Sequence, residues 1–290
     1  MVSIRDLRNR IKSVGNIRQI TRAMEMVATT KLRRFQEKAV ASRPYSQEIT
    51  GLVSRLATLL GDDVSERPLF APGTGNRVAI LLVTSDRGLC GAYNSNLFKK
   101  IELWLAANKG VEVDWYVYGR KGYQYLTRRG RKVERFFVEP SLELTDYRGA
   151  ARTSKVLVDA FLSGKYKNVV VMYTAFESMV RYVPTELPFL PIQKVGASTE
   201  ASKQTGDVIL EPDAATIFDR LVPRYLETRV YNALLESLTS EYASRRVSMK
   251  NATDAAKSMG NALKKVYNRK RQENITKELL DIVGAVEALK

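Results

Sequence analysis

The most informative absence in this chain of 290 residues is histidine, which does not occur at all. Histidine is the side chain most often used as a general base and as a metal ligand, so both kinds of site lose their commonest donor. Cys90 is the single cysteine, which excludes an internal disulfide and a zinc-binding cluster of thiolates. These two absences narrow the chemistry that the chain could carry out.

Long apolar runs are also missing, and no stretch approaches the ~20 apolar residues that a membrane-spanning helix needs. An integral membrane protein is therefore not expected. Proline is absent from residues 1–43 and from residues 224–290, whereas residues 61–76 are rich in proline and glycine. The two proline-free ends favour long helices, and the segment between 61 and 76 is typical of a linker.

What the sequence does have is positive charge, concentrated at its two ends. Residues 1–43 carry eleven Lys/Arg against three Asp/Glu, and residues 245–271 carry nine against one. Each segment is therefore +8, which together accounts for the whole net charge of +16. Such a surplus indicates an anionic partner, and nucleic acid, anionic lipid and acidic protein loops all remain open at this point.

The N-terminal segment carries the pattern of one long helix. Ser3 and Asp6 are spaced as in a capping box, and Pro44 predicts a break or kink near that position, although the helical period continues to Leu60. Apolar side chains recur at steps of three and four, which is one helical face. These positions are Leu7, Ile11, Val14, Ile17, Ile20, Met24 and Val27. We assign residues 1–60 to an N-terminal coiled-coil helix.

The C-terminal segment, 213–290, predicts a second long helix with Pro223 in its first turn. Heptad spacing is present at Ala252, Ala256, Met259, Leu263 and Val266, and it resumes at Ile275, Leu279, Ile282 and Val286. A helix over 224–289 would be ~100 Å long at 1.5 Å per residue, too long to be covered by a body of this size. It needs a companion, and the N-terminal helix is the candidate.

The middle of the chain alternates between strands and helices, which predicts an α/β layer with a largely parallel sheet over residues 77–211. Pro184, Pro188 and Pro191 restrict residues 182–192 to an edge strand or a loop. The predicted strands are 78–83, 111–118, 133–138 and 169–173, and the predicted helices are 93–108, 121–128 and 149–163.

The segment Gly88-Leu-Cys-Gly91 follows a strand and precedes a helix, which is where a phosphate-binding loop would lie. It matches neither of the glycine-rich nucleotide-binding patterns, so we interpret it as a structural turn with Asp86 and Arg87 as external contacts. Cys90 is interpreted as a small packed residue, with a reactive thiol as the alternative.

Two basic regions have a functional interpretation and a simpler one. Tyr123 and Tyr125 lie among Lys121, Arg128 and Arg129, which is compatible with a nucleic-acid surface but is more typical of a solvated helix face. The terminal basic runs could likewise be solvated faces. Ordinary solvated helices mix both signs, however, so we favour a surface that contacts a partner.

Three segments in the same order, Arg10–Ala28, Thr84–Gly91 and Tyr267–Val283, resemble the gamma subunits of F-type ATP synthases. The resemblance implies an antiparallel two-helix coiled coil formed by both termini, inside a ring of alpha and beta subunits. It also implies a central Rossmann-like α/β domain near the epsilon subunit and the membrane c-ring. The chain would then be the central-stalk rotor of a proton-driven synthase, bound peripherally at the cytoplasmic face of the bacterial cell membrane. Such a subunit is non-catalytic, so the resemblance also implies no catalytic residues, no metal site, no cofactor and no direct small-molecule substrate.

The same resemblance, which extends over essentially the whole chain, implies which residues meet the partners. The contacts to the catalytic ring are predicted at Met24, Lys31, Asp86, Arg87, Lys264, Arg271, Gln272, Ile275, Leu279 and Ile282. The contacts to the c-ring and epsilon are predicted at Val208, Ile209, Leu210 and Glu211. The alternatives left by the residues alone are a nucleic-acid-binding protein that uses its basic helices and, less favoured, a peripheral lipid-binding protein.

Overall fold

The computed structural model describes residues 3–193 and 211–288. The chain divides into two compact units, one made of residues 1–29 with 245–290 and the other of residues 30–244. Two long helices, α1 over Ile4–Leu60 and α5 over Ala214–Ala288, contribute to both units. The predicted domain boundaries at 1–60, 77–211 and 213–290 stay a prediction.

Helix α1 begins at the predicted capping box. The Asp6 amide donates to Ser3 Oγ at 3.1 Å, and the Ser3 amide donates back to Asp6 Oδ2 at 3.4 Å. Of the break or kink expected near Pro44, the break does not occur, because the helix continues through this exposed proline to Leu60, and the kink stays a prediction. Proline inside a helix costs about 3 kcal/mol, and the burial of Ile49 and Val53 beyond it offsets a loss of that size.

Helix α5 begins ten residues before the expected first turn, so the placement of Pro223 in that turn is wrong. Asp213 caps the true start, since its carboxylate accepts from the Thr216 amide at 2.8 Å and from the Thr216 hydroxyl at 2.7 Å. These bonds lower the pKa of Asp213 below its ordinary value. Phe218 and Val222 are buried on the first turns, so packing holds the helix together ahead of the proline.

The unit of residues 30–244 contains a five-stranded sheet in the order β3-β2-β1-β4-β5. Strands β1 to β4 are parallel, and β5 pairs antiparallel with β4 at the edge, as its prolines predict. The strands are β1 Arg77–Val83, β2 Val113–Tyr118, β3 Val133–Phe137, β4 Tyr166–Phe176 and β5 Tyr182–Leu190. The helices between them are α2 Tyr93–Ala107, α3 Arg120–Thr127 and α4 Tyr147–Leu162, with short 3-10 turns at Gly61–Val64 and Leu142–Leu144.

The core of this unit is centred on β1, which is buried over residues 78–83 because the sheet is covered on both faces. Ile80 and Leu82 pack with Leu97 and Ile101 of α2 and with Trp115 of β2. The chain moves outward from β1 to β3 and then returns to the other side of β1 with β4. This reversal is the point at which open α/β sheets have a crevice at the carboxyl ends of their strands. The predicted fold class is confirmed.

Candidate functional site

The two terminal helices pair antiparallel within the unit of residues 1–29 and 245–290. Arg8 Nη2 donates to Tyr267 Oη at 3.2 Å, and Thr253 Oγ1 donates to Thr21 Oγ1 at 2.9 Å. From the first of these contacts to the second, the residue number rises along α1 and falls along α5 by nearly the same amount. Only an antiparallel pair of helices produces this pattern. The hydrogen bond from Arg8 lowers the pKa of Tyr267, so the guanidinium stabilises the phenolate form.

The seam of this pair on α5 follows the predicted heptad spacing but is displaced by one residue for most of its length. Thr253 and Ala256 are buried, and Gly260 faces Val14 so closely that an added Cβ would lie 3.7 Å from its Cγ1. The predicted seam residues Met259 and Val266 are instead 57% and 52% exposed, which corrects that assignment. Small side chains form the contact because they allow the two backbones to approach.

The predicted apolar face of α1 is also only partly buried. Leu7 is buried and Met24 is half-buried, as expected. Ile17, Ile20 and Val27 are more than half exposed, whereas Thr21 is bonded to Thr253 of α5 and Ala28 is buried. The helix pair therefore presents an apolar strip to its surroundings, and exposed apolar surface of this kind marks a site of protein contact.

The end of α5 beyond Arg271 forms the tip segment, residues 272–285. Every one of its residues is exposed. The antiparallel register brings Ser3 opposite residues near 271, so in the part of the chain that the structure describes no segment of α1 reaches the tip. The apolar side chains Ile275, Leu279 and Ile282 are 47%, 57% and 61% exposed. They form an apolar stripe without an internal partner, and their contact with a ring stays a prediction.

Basic residues flank these apolar surfaces. Lys264, Arg271 and the neutral Gln272 are exposed on the same helix. Lys270 forms an ion pair with Glu273 at 2.9 Å, an exposed i,i+3 pair of small energy. The other predicted contacts on this helix therefore lie at the surface, where an acidic partner could reach them.

Lys31, predicted to meet the catalytic ring, lies in the other unit and already has an internal partner. Its ammonium forms an ion pair with Glu143 and lies 5.5 Å from the centre of the Tyr242 ring. Tyr242 Oη donates to Glu143 Oε2 at 2.8 Å, and Phe35 stacks on the same ring. Burial raises the pKa of Glu143, but the hydrogen bonds from Lys31 and Tyr242 outweigh it, and the pKa falls below its usual value.

The segment Thr84–Gly91 folds as a turn at the carboxyl end of β1. Thr84 Oγ1 donates to Tyr118 O at 2.9 Å, and the Gly122 amide donates to the same hydroxyl at 2.9 Å. Asp86 accepts from the Arg120 amide at 3.0 Å, and Arg87 is exposed. This internal bonding supports the interpretation as a structural turn. Asp86 and Arg87 stay predicted contacts.

Cys90 in the same turn is buried, as expected of a packed residue. Asn94 Nδ2 lies 3.3 Å from its sulfur and 2.7 Å from Ser85 Oγ. Of the predicted c-ring and epsilon contacts, Glu211 is exposed just before α5. Val208, Ile209 and Leu210 lie outside the described residues.

The aromatic residues considered for nucleic-acid binding already stack on other side chains of this protein. The ring of Tyr125 stacks on Phe98 at 3.8 Å, and the ring of Tyr123 stacks on Phe136 at 4.7 Å. Arg129 lies over the other side of Tyr125, 4.0 Å from its centre. Bases bind such surfaces by stacking on open aromatic faces, so these contacts favour the interpretation as an ordinary helix face.

Sequence reasoning missed a buried carboxylate at the amino end of the sheet. Asp114 in β2 is fully buried and accepts from Arg77 at 2.5 and 3.1 Å, from Lys165 at 2.8 Å and from Tyr166 at 2.9 Å. Burial raises its pKa, but these donors outweigh it and lower the pKa to about 2. The only signal in the sequence is an acidic residue inside an otherwise apolar strand. With four bonds already made, the carboxylate joins three strands and is not available as an acid or base.

Two further kinds of site are absent from the part of the chain that the structure describes. Residues 3–193 and 211–288 contain no group of three His, Cys, Asp or Glu side chains that could hold a metal ion. Within the same ranges, no helix is both long and apolar enough to cross a membrane.

Comparison with known proteins agrees with these features. Residues 3–289 match the family described as ATP synthase. The ATP synthase gamma chain of Dehalococcoides mccartyi strain CBDB1 is 39% identical over 289 residues, covering 100% of both chains. That of Geobacter sp. strain M21 is 38% identical over 293 residues with the same coverage. That of Mycobacterium leprae strain Br4923 is 40% identical over 297 residues, covering 99% of this chain and 98% of the other.

Solved structures show the same fold. A chain of the Euglena gracilis mitochondrial ATP synthase, solved with OSCP, F1 and the c-ring, aligns with a TM-score of 0.66 at 18% identity, covering 99% of this chain and 94% of that one. A chain of the central stalk and c-ring of the Tetrahymena thermophila enzyme aligns with a TM-score of 0.58 at 23% identity, covering 80% and 99%. The resemblance seen in three sequence segments is thereby confirmed over the full chain, which belongs to the family of ATP synthase gamma chains, the central stalk of the F-type enzyme.

Proposed function

We propose that the chain is the rotor of a proton-driven F-type ATP synthase and carries rotation between a membrane c-ring and a ring of alpha and beta subunits. The observation that carries this proposal is the tip segment. It extends past the start of α1 and exposes Ile275, Leu279 and Ile282 on a helix that no other described part of the chain covers. An apolar helix end of this kind is stable in water only when a partner surrounds it.

The rest of the helix pair supports a sliding contact. Its surface combines the exposed apolar strip at Ile17, Ile20 and Val27 with exposed cations such as Lys264 and Arg271. Exposed ion pairs with acidic loops of a ring contribute about 0 to 1 kcal/mol each. Contacts that are individually weak and numerous hold a shaft in place without stopping its rotation.

The further partners are the epsilon subunit and the c-ring, with Glu211 at the margin of the contact. The matched relatives are bacterial gamma chains. We therefore place the chain at the cytoplasmic face of a bacterial cell membrane, held there by the complex. By driving each catalytic site through its affinity states, the rotor would also regulate ATP hydrolysis and proton flow.

Reconstitution with alpha and beta subunits tests the rotor proposal. A probe attached in the region of residues 120–130 is expected to turn in one direction when ATP is added to an immobilised ring. A failure of the three subunit types to form one particle would overturn the proposal, as would a particle whose probe only fluctuates about a fixed angle.

The tip itself is tested by a matched pair of double variants. Ile275→Ser with Leu279→Ser removes two apolar contacts, each worth about 1.5 to 3 kcal/mol when buried by a partner, so assembly is expected to weaken at least ~100-fold. Lys277→Ser with Glu278→Ser places the same number of serines on the same turns and controls for helix propensity. Equal affinity of the two variants for the alpha and beta ring would show that the stripe is not the contact.

A further inference from the structure

Three serines of α5, Ser237, Ser240 and Ser244, lie on one face of the helix and are fully or almost fully buried. Their spacing of three and four residues aligns them along the helix axis. Hydroxyls inside helices often donate back to the carbonyl four residues earlier, and Thr239 does so here, with 2.7 Å between its Oγ1 and Leu235 O. The three serines instead bond to the α/β domain.

The bonds of these serines all reach the carboxyl ends of two neighbouring strands. The Ser244 hydroxyl donates to the Cys90 carbonyl in the turn after β1 at 2.6 Å. The Ser240 hydroxyl donates to the Thr174 carbonyl in β4 at 3.1 Å. The Ser237 hydroxyl lies 2.7 Å from the hydroxyl of Tyr93, the first residue of α2.

The location of these bonds is the crevice between β1 and β4, where the order of the strands reverses. In open α/β sheets this crevice is the usual place for a ligand. Here α5 lies in it and takes the hydrogen bonds that a ligand would take. The ladder between β1 and β4 stops at the pair Leu82 and Met172, two residues before Thr174, so Ser240 supplies a donor at a point where β1 no longer does.

We propose that Ser237, Ser240 and Ser244 form a serine lock that fixes the rotational position of α5 on the α/β domain, so that the two turn together. The proposal deepens the rotor function and rests on it. The serines act as positioning residues, since they touch no substrate and carry torque only through the helix to which they belong.

The physical reason lies in the difference between apolar and hydrogen-bonded contacts. Apolar packing is non-directional and changes little when a helix turns slightly about its axis. A hydrogen bond weakens steeply with distance and angle. A turn of α5 by roughly 15° moves a side-chain oxygen by about 1 Å, which takes bonds of 2.6 to 3.1 Å out of range. The serine lock therefore resists small rotations that the surrounding apolar contacts would permit.

The experiment uses the reconstituted complex with a rotation probe on the α/β domain. Lys109→Cys supplies an exposed attachment point in the turn after α2, and the buried Cys90 does not compete for the label. The triple variant Ser237→Ala, Ser240→Ala, Ser244→Ala keeps helix propensity, since alanine is the best helix former. Angular fluctuations are recorded while the catalytic ring waits for ATP.

We expect the variance of the probe angle to rise at least twofold in the triple variant. Thr239→Val is the matched control, because it removes a buried hydroxyl of the same helix whose one bond within the described residues is to Leu235 O. Its variance should equal that of the natural chain. Tyr93→Phe and Ser237→Ala should each increase the variance, and together by no more than either alone, because both remove one shared bond.

The outcomes separate the two proposals. A natural chain that does not rotate overturns the rotor function. A natural chain that rotates, with a triple variant whose variance is unchanged or equal to that of Thr239→Val, overturns the serine lock alone. If the triple variant fails to assemble, the single variants Tyr93→Phe and Ser237→Ala and their combination provide the test. Increases in the angular variance that add in the combined variant would overturn the proposal.

Discussion

Replacing Asp114 with asparagine is expected to destabilise the α/β domain strongly while leaving its shape almost unchanged. The carboxylate is fully buried and bonded to Arg77, Lys165 and Tyr166, which lowers its pKa from the ordinary value of 3.8 to about 2. That difference corresponds to roughly 2 kcal/mol of stabilisation at neutral pH. Asparagine also turns an amide N–H₂ toward cationic donors, which is unfavourable. We therefore expect the free energy of unfolding to fall by about 3 kcal/mol in total, which is the lower end of the range for breaking a buried ion pair.

The pH dependence of this prediction has a definite sign. The folded-state pKa of Asp114 is lowered, so its stabilisation is fully present above about pH 4 and is lost as the pH falls toward 2. The asparagine variant has no such group to protonate. The difference in stability between the natural chain and the variant should therefore shrink across this interval, even though other carboxylates titrate in both.

Urea denaturation followed by tryptophan fluorescence is a suitable assay. Both tryptophans of the chain, Trp104 and Trp115, lie in the α/β domain, and Trp115 is adjacent to Asp114. With a slope of ~2 to 3 kcal/mol per molar urea, a loss of 3 kcal/mol lowers the midpoint by about 1 to 1.5 M. The control is Glu177→Gln, which removes an exposed partner of Arg181 between β4 and β5 and should change stability by less than about 1 kcal/mol.

Two results would refute this reasoning about Asp114. One is a midpoint shift for Asp114→Asn no larger than that for Glu177→Gln. The other is a difference between the natural chain and the variant that stays constant from pH 4 to pH 2. Either would mean that the bonds around the carboxylate contribute no net stability.

Two further predictions concern glycines. Gly260→Ala should stabilise the helix pair by about 1 kcal/mol, because alanine is the better helix former and its Cβ would lie at an ordinary 3.7 Å from Val14; thermal unfolding followed by circular dichroism measures this, and a lower melting temperature would contradict it. Gly119→Ala should cost at least about 3 kcal/mol, because the residue has a φ of +92° and a Cβ would lie 2.1 Å from Thr84 O. A urea midpoint unchanged by Gly119→Ala would show that this turn can relax.

The regular elements could be predicted from the sequence because each has a local signal. The apolar run before Thr84 predicted β1, and the prolines of residues 182–192 restricted that segment to an edge strand or a loop, of which the structure has the edge strand. The start of α5 was misplaced because Pro223 is a strong local signal, whereas the cap at Asp213 and the packing of Phe218 depend on tertiary contacts. Propensity alone does not contain that information.

The functional surfaces likewise include one that a local sequence pattern predicts and others that depend on tertiary contacts. The tip stripe could be predicted from its spacing, but the seam could not, because the heptad that contains Met259 and Val266 is more apolar than the true one. The contact uses Thr253 and Gly260, whose value lies in their small size and appears only when the second helix is present. The serine contacts were missed because their partners lie 66 to 154 residues away along the chain, where periodicity carries no signal.

The pairing of the two ends of the chain also affects how the protein is made. Thr21 and Thr253 are hydrogen-bonded across 232 residues of sequence. At about 5 to 20 residues per second, the N-terminal helix leaves the ribosome some 10 to 50 s before its partner exists. During that interval the side chains of Leu7, Val14 and Ala28 have no partner helix to pack against. The +8 charge of residues 1–43 repels like segments on neighbouring nascent chains, so the charge of the finished helix pair also protects it during synthesis.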